Sequence, residues 1–209
     1  MQLLAVGPGT GDKNRECSAT GFFINASGYI LTNAHVVDEA QRCLAGSEEG
    51  RIVAKFESPG LQAEAISCDL VGTDERHDLA VLRLARPRGG RNQQDFVALD
   101  GTDVTTGTVI AVTGHSGSAW QRTTRKGSVI ARATLALDDS RREKTDVLIL
   151  DIPLQRGASG SPVYLESGPV IGIVSRQNPA RPTETVAVPI QYAIELLNRL
   201  GVCWTSNSR

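Results

Sequence analysis

No stretch of this 209-residue sequence stays apolar long enough to span a bilayer, which excludes a membrane-crossing helix. Neither charge sign is in excess. Lys and Arg number 22 against 23 Asp and Glu, for a net charge of −1. That balance gives no reason to expect a nucleic acid or an anionic membrane surface as partner. None of the four cysteines (Cys17, Cys43, Cys68, Cys203) belongs to a CxxC pair, so no zinc or other metal is expected. The opening "MQLLAVGPGTGDKNREC" has no basic n-region, and its apolar run is too short for a secretory signal. The expectation is that Met1 stands where a signal or anchor has been removed. Histidine is scarce too: His35, His77 and His115 are all there is, so the search for a general base is short.

Glycine is plentiful, at 21 residues, and with 9 prolines it separates many short apolar runs. Such punctuation marks short strands rather than long helices. Residues 20–32, "TGFFINASGYILT", read as a hairpin turning at "NASG". That turn is also the simpler reading of Asn25, whose "NAS" matches a glycosylation acceptor. A single helical turn is expected at "NAHVVDEAQRC". "GRIVAKFE", "LQAEAISCDLVGTD" and "DLAVLRLA" read as strands, and "RPRGGRNQQD" (86–95) as a solvated loop. "GTVIAVTG", "TRKGSVIARATLAL", "DVLILDIPL", "SPVYLESGPVIGIVS" and "ETVAVP" are further β-prone runs. Residues 190–200, "IQYAIELLNRL", place Ile190, Ile194, Leu197 and Leu200 at helical spacing, which predicts an amphipathic helix. Six strands, a loop, six strands and a helix predict an all-β protein: two β-barrels or a large sandwich.

A serine nucleophile needs a base to take its proton, and the base needs a carboxylate to fix its tautomer. His35 lies in "LTNAHVV", at the junction of a strand and a loop. Asp78 immediately precedes the apolar run "LAVLRL", where a carboxylate is held at the edge of the core. Ser159 lies in "RGASGSPVY" between Gly157 and Gly160, which let the backbone turn sharply and bring its N–H groups to a carbonyl. The chain order His, Asp, Ser is one of three orders in which such triads occur. Ser161 is the alternative nucleophile, but the proline after it offers no N–H. His77 reads as structural, since neighbouring strand residues point to opposite faces. His115, in a glycine-serine turn, reads as structural or as lining a cleft.

"TGFFINASGYILTNAHVV", "HDLAVLRL", "TRKGSVIA", "LILDIPLQRGASGSPV", "VIGIVS" and "VAVPI" together resemble, in order, segments of the HtrA/Deg branch of trypsin-like serine proteases, from about residue 18 to about 200. The resemblance implies two six-stranded antiparallel β-barrels of the chymotrypsin type, residues 1–100 and 101–209, with the site in the cleft between them. It implies His35 as general base, Asp78 as its orienter, Ser159 as nucleophile, and the N–H groups of Gly157 and Ser159 as oxyanion hole. Ser175 falls where the family places a serine near the aspartate. Leu154, Arg176 and Thr185 fall in the segments that wall the specificity pocket. No acidic residue stands at its base, so cleavage after small or medium aliphatic residues is expected, with Arg176 favouring acidic residues nearby.

Two positions depart from the family pattern. Ser161 replaces a glycine. Ala158 replaces the aspartate or asparagine before the nucleophile, so an ion pair with a new N-terminus cannot order the oxyanion loop; substrate or a partner would have to. Two disulfides are expected, Cys17–Cys43 and Cys68–Cys203. The implied protein is a serine endopeptidase acting on proteins or peptides, without cofactor and without a following PDZ domain, periplasmic or secreted, monomeric or homotrimeric. The rival reading is a catalytically silent trypsin fold that binds peptides or proteins.

Overall fold

A computed structural model describes residues 1–6, 18–44, 51–56, 64–86, 96–115, 122–137, 143–154 and 157–206. The chain runs β1 (Gln2–Val6), β2 (Ser18–Thr20), β3 (Phe22–Phe23), β4 (Tyr29–Thr32), α1 (Ala34–Cys43), β5 (Arg51–Phe56), β6 (Glu64–Asp74) and β7 (Leu79–Leu84). It continues with β8 (Val109–His115), β9 (Arg122–Leu135), β10 (Thr145–Leu150), β11 (Pro162–Leu165), β12 (Val170–Gln177), β13 (Thr185–Pro189) and α2 (Ile190–Arg199). The loop expected at 86–95 lies outside the described residues from residue 87 onward.

The second set of strands closes into a six-stranded barrel, β10-β13-β12-β11-β8-β9. The first set forms a sheet in the order β2-β1-β5-β6-β7-β4-β3. Its two outermost strands, β2 and β3, are consecutive in the chain and separated only by Gly21, so the sheet comes round nearly to a barrel. All named pairings are antiparallel, as the short turns require. The expected all-β class with two barrels and a C-terminal helix is therefore observed. One strand was not anticipated: β1 is only five residues long, but it bridges β2 and β5.

The near-continuous apolar runs have a specific cause. Strand side chains alternate, and here each face meets a different core. In β7, Leu79 and Val81 face a cluster shared with the second barrel, while Ala80, Leu82 and Leu84 fill the inside of the first. Phe22 and Phe23 divide the same way, as do Leu31 and Ile30. The shared cluster draws Val170, Ile173 and Val188 from the second barrel and Leu196 and Leu197 from α2. Each such side chain contributes about 1.5–3 kcal/mol on burial, so this joint core holds the halves together firmly.

Two expectations need correction. The single helical turn after residue 33 is a ten-residue helix, α1. Its buried Val36 and Val37 pack into the first barrel's interior, and that packing favours helix beyond what its weak sequence pattern suggested. A Cys68–Cys203 bridge is not formed, and both thiols are free. Cys68 points into the first barrel, where burial pushes its thiol up to about 12, whereas Cys203 is exposed beyond α2. Cys43 is disulfide-bonded. Its expected partner, Cys17, lies outside the described residues.

Candidate active site

Asn33 joins β4 to α1 and has the extended backbone of a helix N-cap, but its side chain does not cap the helix. Its amide donates to the Asp78 carbonyl instead, at 3.0 Å. The cap comes from across the sheet: Asp78 Oδ1 accepts the His35 backbone N–H at 3.0 Å. A carboxylate at a helix N-terminus satisfies an orphan donor and complements the helix dipole. The same carboxylate faces the His35 ring, with Nδ1 at 2.9 Å from both Oδ1 and Oδ2. A carboxylate accepts, so Nδ1 carries the proton and Nε2 is left as the basic nitrogen.

Asp78 has φ +54°, in the left-handed region that aspartate tolerates better than most residues. Its N–H donates to the Glu75 carbonyl at 3.3 Å. Burial lowers the His35 pKa, but the hydrogen bond to Asp78 and the charges of Asp78, Glu39 and Asp38 outweigh it, leaving the group above its ordinary 6.5.

Ser175 completes the surroundings of Asp78. The β12–β13 register slips between Val174 and Arg176, a bulge that frees Ser175 from the ladder. Its hydroxyl donates to Asp78 Oδ2 at 2.6 Å, and its carbonyl accepts the Ser159 hydroxyl at 2.9 Å. The bonded chain His35–Asp78–Ser175–Ser159 thus joins the two barrels.

Ser159 sits in a turn between two glycines with positive φ, Gly157 at +93° and Gly160 at +80°. A side chain at Gly160 would collide with the Thr20 carbonyl, and its Cβ would lie 2.5 Å from the Thr32 hydroxyl. Glycine is therefore demanded twice there, by conformation and by space. The turn is tied down by Gly160 N–H to Val174 O (2.9 Å), Ser161 N–H to Ala158 O (3.0 Å) and Thr20 N–H to Ser159 O (2.8 Å). Among the described residues, the N–H groups of Gly157 and Ser159 have no hydrogen-bond acceptor. N–H groups without an acceptor among the described residues, in the turn that carries the Ser159 hydroxyl, are the kind of donor that can receive a developing negative charge.

The remaining candidates separate clearly. Ser161 is wholly buried, with its hydroxyl packed into the space that a side chain at Gly114 would need. It is a filler, out of reach of any substrate. His77 turns away from Asp78, pairing with Asp74 at 3.0 Å and stacking on Tyr192 of α2 with centroids 3.9 Å apart. His115 is buried at the end of β8. Thr185 is also fully buried, donating to the Ile152 carbonyl at 2.6 Å, and Leu154 lies in the second barrel's core. Neither offers open surface to a ligand. Arg176 reaches back to the Ala136 carbonyl at 2.6 Å. Two residues at the site escaped sequence reasoning, Asn33 and Thr20. Thr20 is part of the plain run "SATGFF", and its partners in the serine turn, Gly157 and Ser159, are more than a hundred residues away, so no local signal marks it.

A family model described as "Trypsin-like peptidase domain" matches residues 19–173. A protein from Pseudomonas putida described as "Probable periplasmic serine endoprotease DegP-like" is 30% identical over 195 residues, covering 91% of this chain and 36% of that protein. A relative of the same description from Halomonas elongata is 28% identical over 90% of this chain and 36% of its own length. The chain thus spans about a third of the length of these curated relatives. Among solved structures, the Rv3671c protease from M. tuberculosis in its active form superposes with a TM-score of 0.72 at 19% identity, over 99% of this chain and 82% of that one. The HtrA-type protease AlgW with decapeptide gives 0.66 at 22% identity, over 87% and 51%.

Proposed function

The chain belongs to the trypsin-like peptidase domain family, and from that premise we propose that it is a serine endopeptidase working through Ser159, His35 and Asp78. The observation that carries this reading is the bonded chain from His35 through Asp78 and Ser175 to Ser159. Three residue types required for acyl transfer, far apart in sequence, are linked through Ser175, with the histidine tautomer that leaves Nε2 basic.

The reaction begins when the Ser159 hydroxyl turns from the Ser175 carbonyl to His35 Nε2. His35 takes the proton as Ser159 Oγ attacks the substrate carbonyl, and Asp78 stabilises the imidazolium. The oxyanion is received by the N–H groups of Gly157 and Ser159, each such donor being worth about 10²–10³ in rate. His35 returns the proton to the leaving amine, and water hydrolyses the ester by the same steps.

Residues 1–100 and 101–209 serve as the two halves of the cleft. The P1 preference proposed is for small or medium aliphatic residues, on the absence of an acidic residue at the base of the pocket; Leu154, closed into the second barrel's core, does not itself line it. Proteins or peptides are the substrates. The periplasmic description of the relatives and the disulfide at Cys43 support a periplasmic or secreted location. A monomer or a homotrimer is the expected assembly.

A fluorophosphonate probe tests the reading. It should label Ser159, and Ser159→Ala or His35→Ala should abolish labelling. One observation favours a second reading, the silent peptide-binding module: the Ser159 hydroxyl is engaged by Ser175. Absence of labelling even with peptide substrate present would support that module.

A further inference from the structure

We propose that Thr20 is a positioning residue for the oxyanion hole, locking the nucleophile turn from the opposite barrel; this rests on the reading of Ser159 as nucleophile. Thr20 ends β2 in the first sheet and is 2% exposed, so water cannot substitute for its contacts. Its hydroxyl has one proton and two lone pairs. The backbone N–H of His115, which can only donate, points at that oxygen at 3.0 Å. The single proton is thereby directed at the Gly157 carbonyl, 3.1 Å away. The Thr20 backbone N–H holds the Ser159 carbonyl at 2.8 Å, and the Thr20 carbonyl is itself held by the Thr32 hydroxyl at 2.9 Å.

One residue therefore grips the turn at the carbonyls of both Gly157 and Ser159, the two residues whose N–H groups form the proposed hole. Fixing the Gly157 carbonyl fixes the plane of the peptide that follows it and limits rotation about Gly157, whose lack of a side chain would otherwise let it turn freely. Ala158 has no polar side chain with which to hold the turn. Thr20 thus supplies an order that sequence reasoning had assigned to substrate or a partner.

The test compares Thr20→Val, which keeps shape and loses the hydroxyl, with Thr20→Ser, which keeps the hydroxyl. Measured quantities are kcat and KM on a peptide substrate, the fluorophosphonate labelling rate, and the affinity of a peptide aldehyde, whose adduct carries the oxyanion. Thr20→Val should lower kcat by about 10- to 100-fold, the effect of an ångström-scale misplacement, with KM little changed. Aldehyde affinity should fall in parallel, and Thr20→Ser should stay close to the parent. Wild-type kcat in folded Thr20→Val, or a Thr20→Ser as impaired as Thr20→Val, overturns the proposal. Should Thr20→Val not fold, Thr20→Ala replaces it, differing from Thr20→Ser by one oxygen. Failure of both to fold makes Thr20 a folding residue and also overturns the proposal. A parent protein inert to the probe defeats the nucleophile assignment and takes this one with it. A reactive parent with an equally reactive Thr20→Val defeats the Thr20 role alone.

Discussion

The base half and the nucleophile half of the site are held in different ways. His35, on α1, and Asp78, in the turn before β7, both come from the first half of the chain, and their geometry follows from one device, a carboxylate that caps α1 and accepts the ring N–H of the residue it caps. The nucleophile turn relies on outside support. Its glycines permit the turn, but its shape is held by Thr20 from the other barrel and by Val174 and Ser175 from the neighbouring strand. The cap and the ring contact of His35 and Asp78 need only the first half of the chain, and docking of the second barrel adds one hydrogen bond to Asp78, from Ser175. A nucleophile turn gripped from the opposite barrel is complete only when the halves dock.

The largest expected effect lies where the two halves meet. Ser159→Ala or His35→Ala should each lower kcat by about 10⁶-fold, and the double variant should be no worse, since the residues act as a unit. Independent, additive losses in a peptide hydrolysis assay would break the picture of one connected chain. Next, Asp78→Asn should cost about 10⁴-fold while leaving the fold intact, because asparagine also tolerates the left-handed backbone at this position.

The pH profile probes the base half by itself. In the proposed mechanism neutral His35 is the active form, and its pKa is raised, so the acid limb of kcat/KM should have its midpoint above 6.5. In Asp78→Asn, burial is left without its main counterweight, and the limb should move to lower pH. The sign for stability is opposite to that for activity: the His35⁺–Asp78 pairing contributes fully below 6.5 and is lost as pH rises through the raised value. A wild-type limb below 6.5 would contradict the dominance of Asp78 and its acidic neighbours over burial.

Smaller effects sharpen the nucleophile half. Gly160→Ala should destabilise by more than about 1 kcal/mol in thermal or denaturant unfolding, since it must both adopt positive φ and push Thr20 aside. Ser161→Ala removes a buried hydroxyl that has no partner among the described residues and should stabilise by about 1 kcal/mol. It should leave labelling of Ser159 untouched. Loss of labelling would show that the turn depends on the Ser161 hydroxyl and would refute its reading as filler.

Much of this was legible in the chain. The strands from β2 to β13 and the helix at 190–200 announced themselves through apolar runs bounded by glycine, proline and polar turns. Two elements were misjudged, β1 and α1, because both are short and take their stability from partners rather than from pattern. β1 needs β2 and β5 on its flanks, and α1 needs the open end of the first barrel for Val36 and Val37. The failed Cys68–Cys203 pairing has the same origin: cysteine count is a sequence property, whereas the face a thiol occupies is not.

By itself the sequence determined an all-β chain of alternating apolar strands and a short list of groups capable of acyl transfer. Histidine was scarce enough to make His35 conspicuous, and the glycines around Ser159 exposed the turn that needs them. Residue type, chain order and local conformational freedom are one-dimensional properties, and these conclusions need nothing more. Only the tertiary structure decided that the Ser161 hydroxyl is buried against Gly114, that Asp78 caps the helix of its own histidine, and that Thr20 holds the carbonyls of Gly157 and Ser159. The contacts of Asp78 and Thr20 are hydrogen bonds between residues 43 apart in the one case and more than 130 apart in the other. Strand pairing and docking of the barrels bring such segments together, and nothing in the local pattern of either partner encodes the meeting.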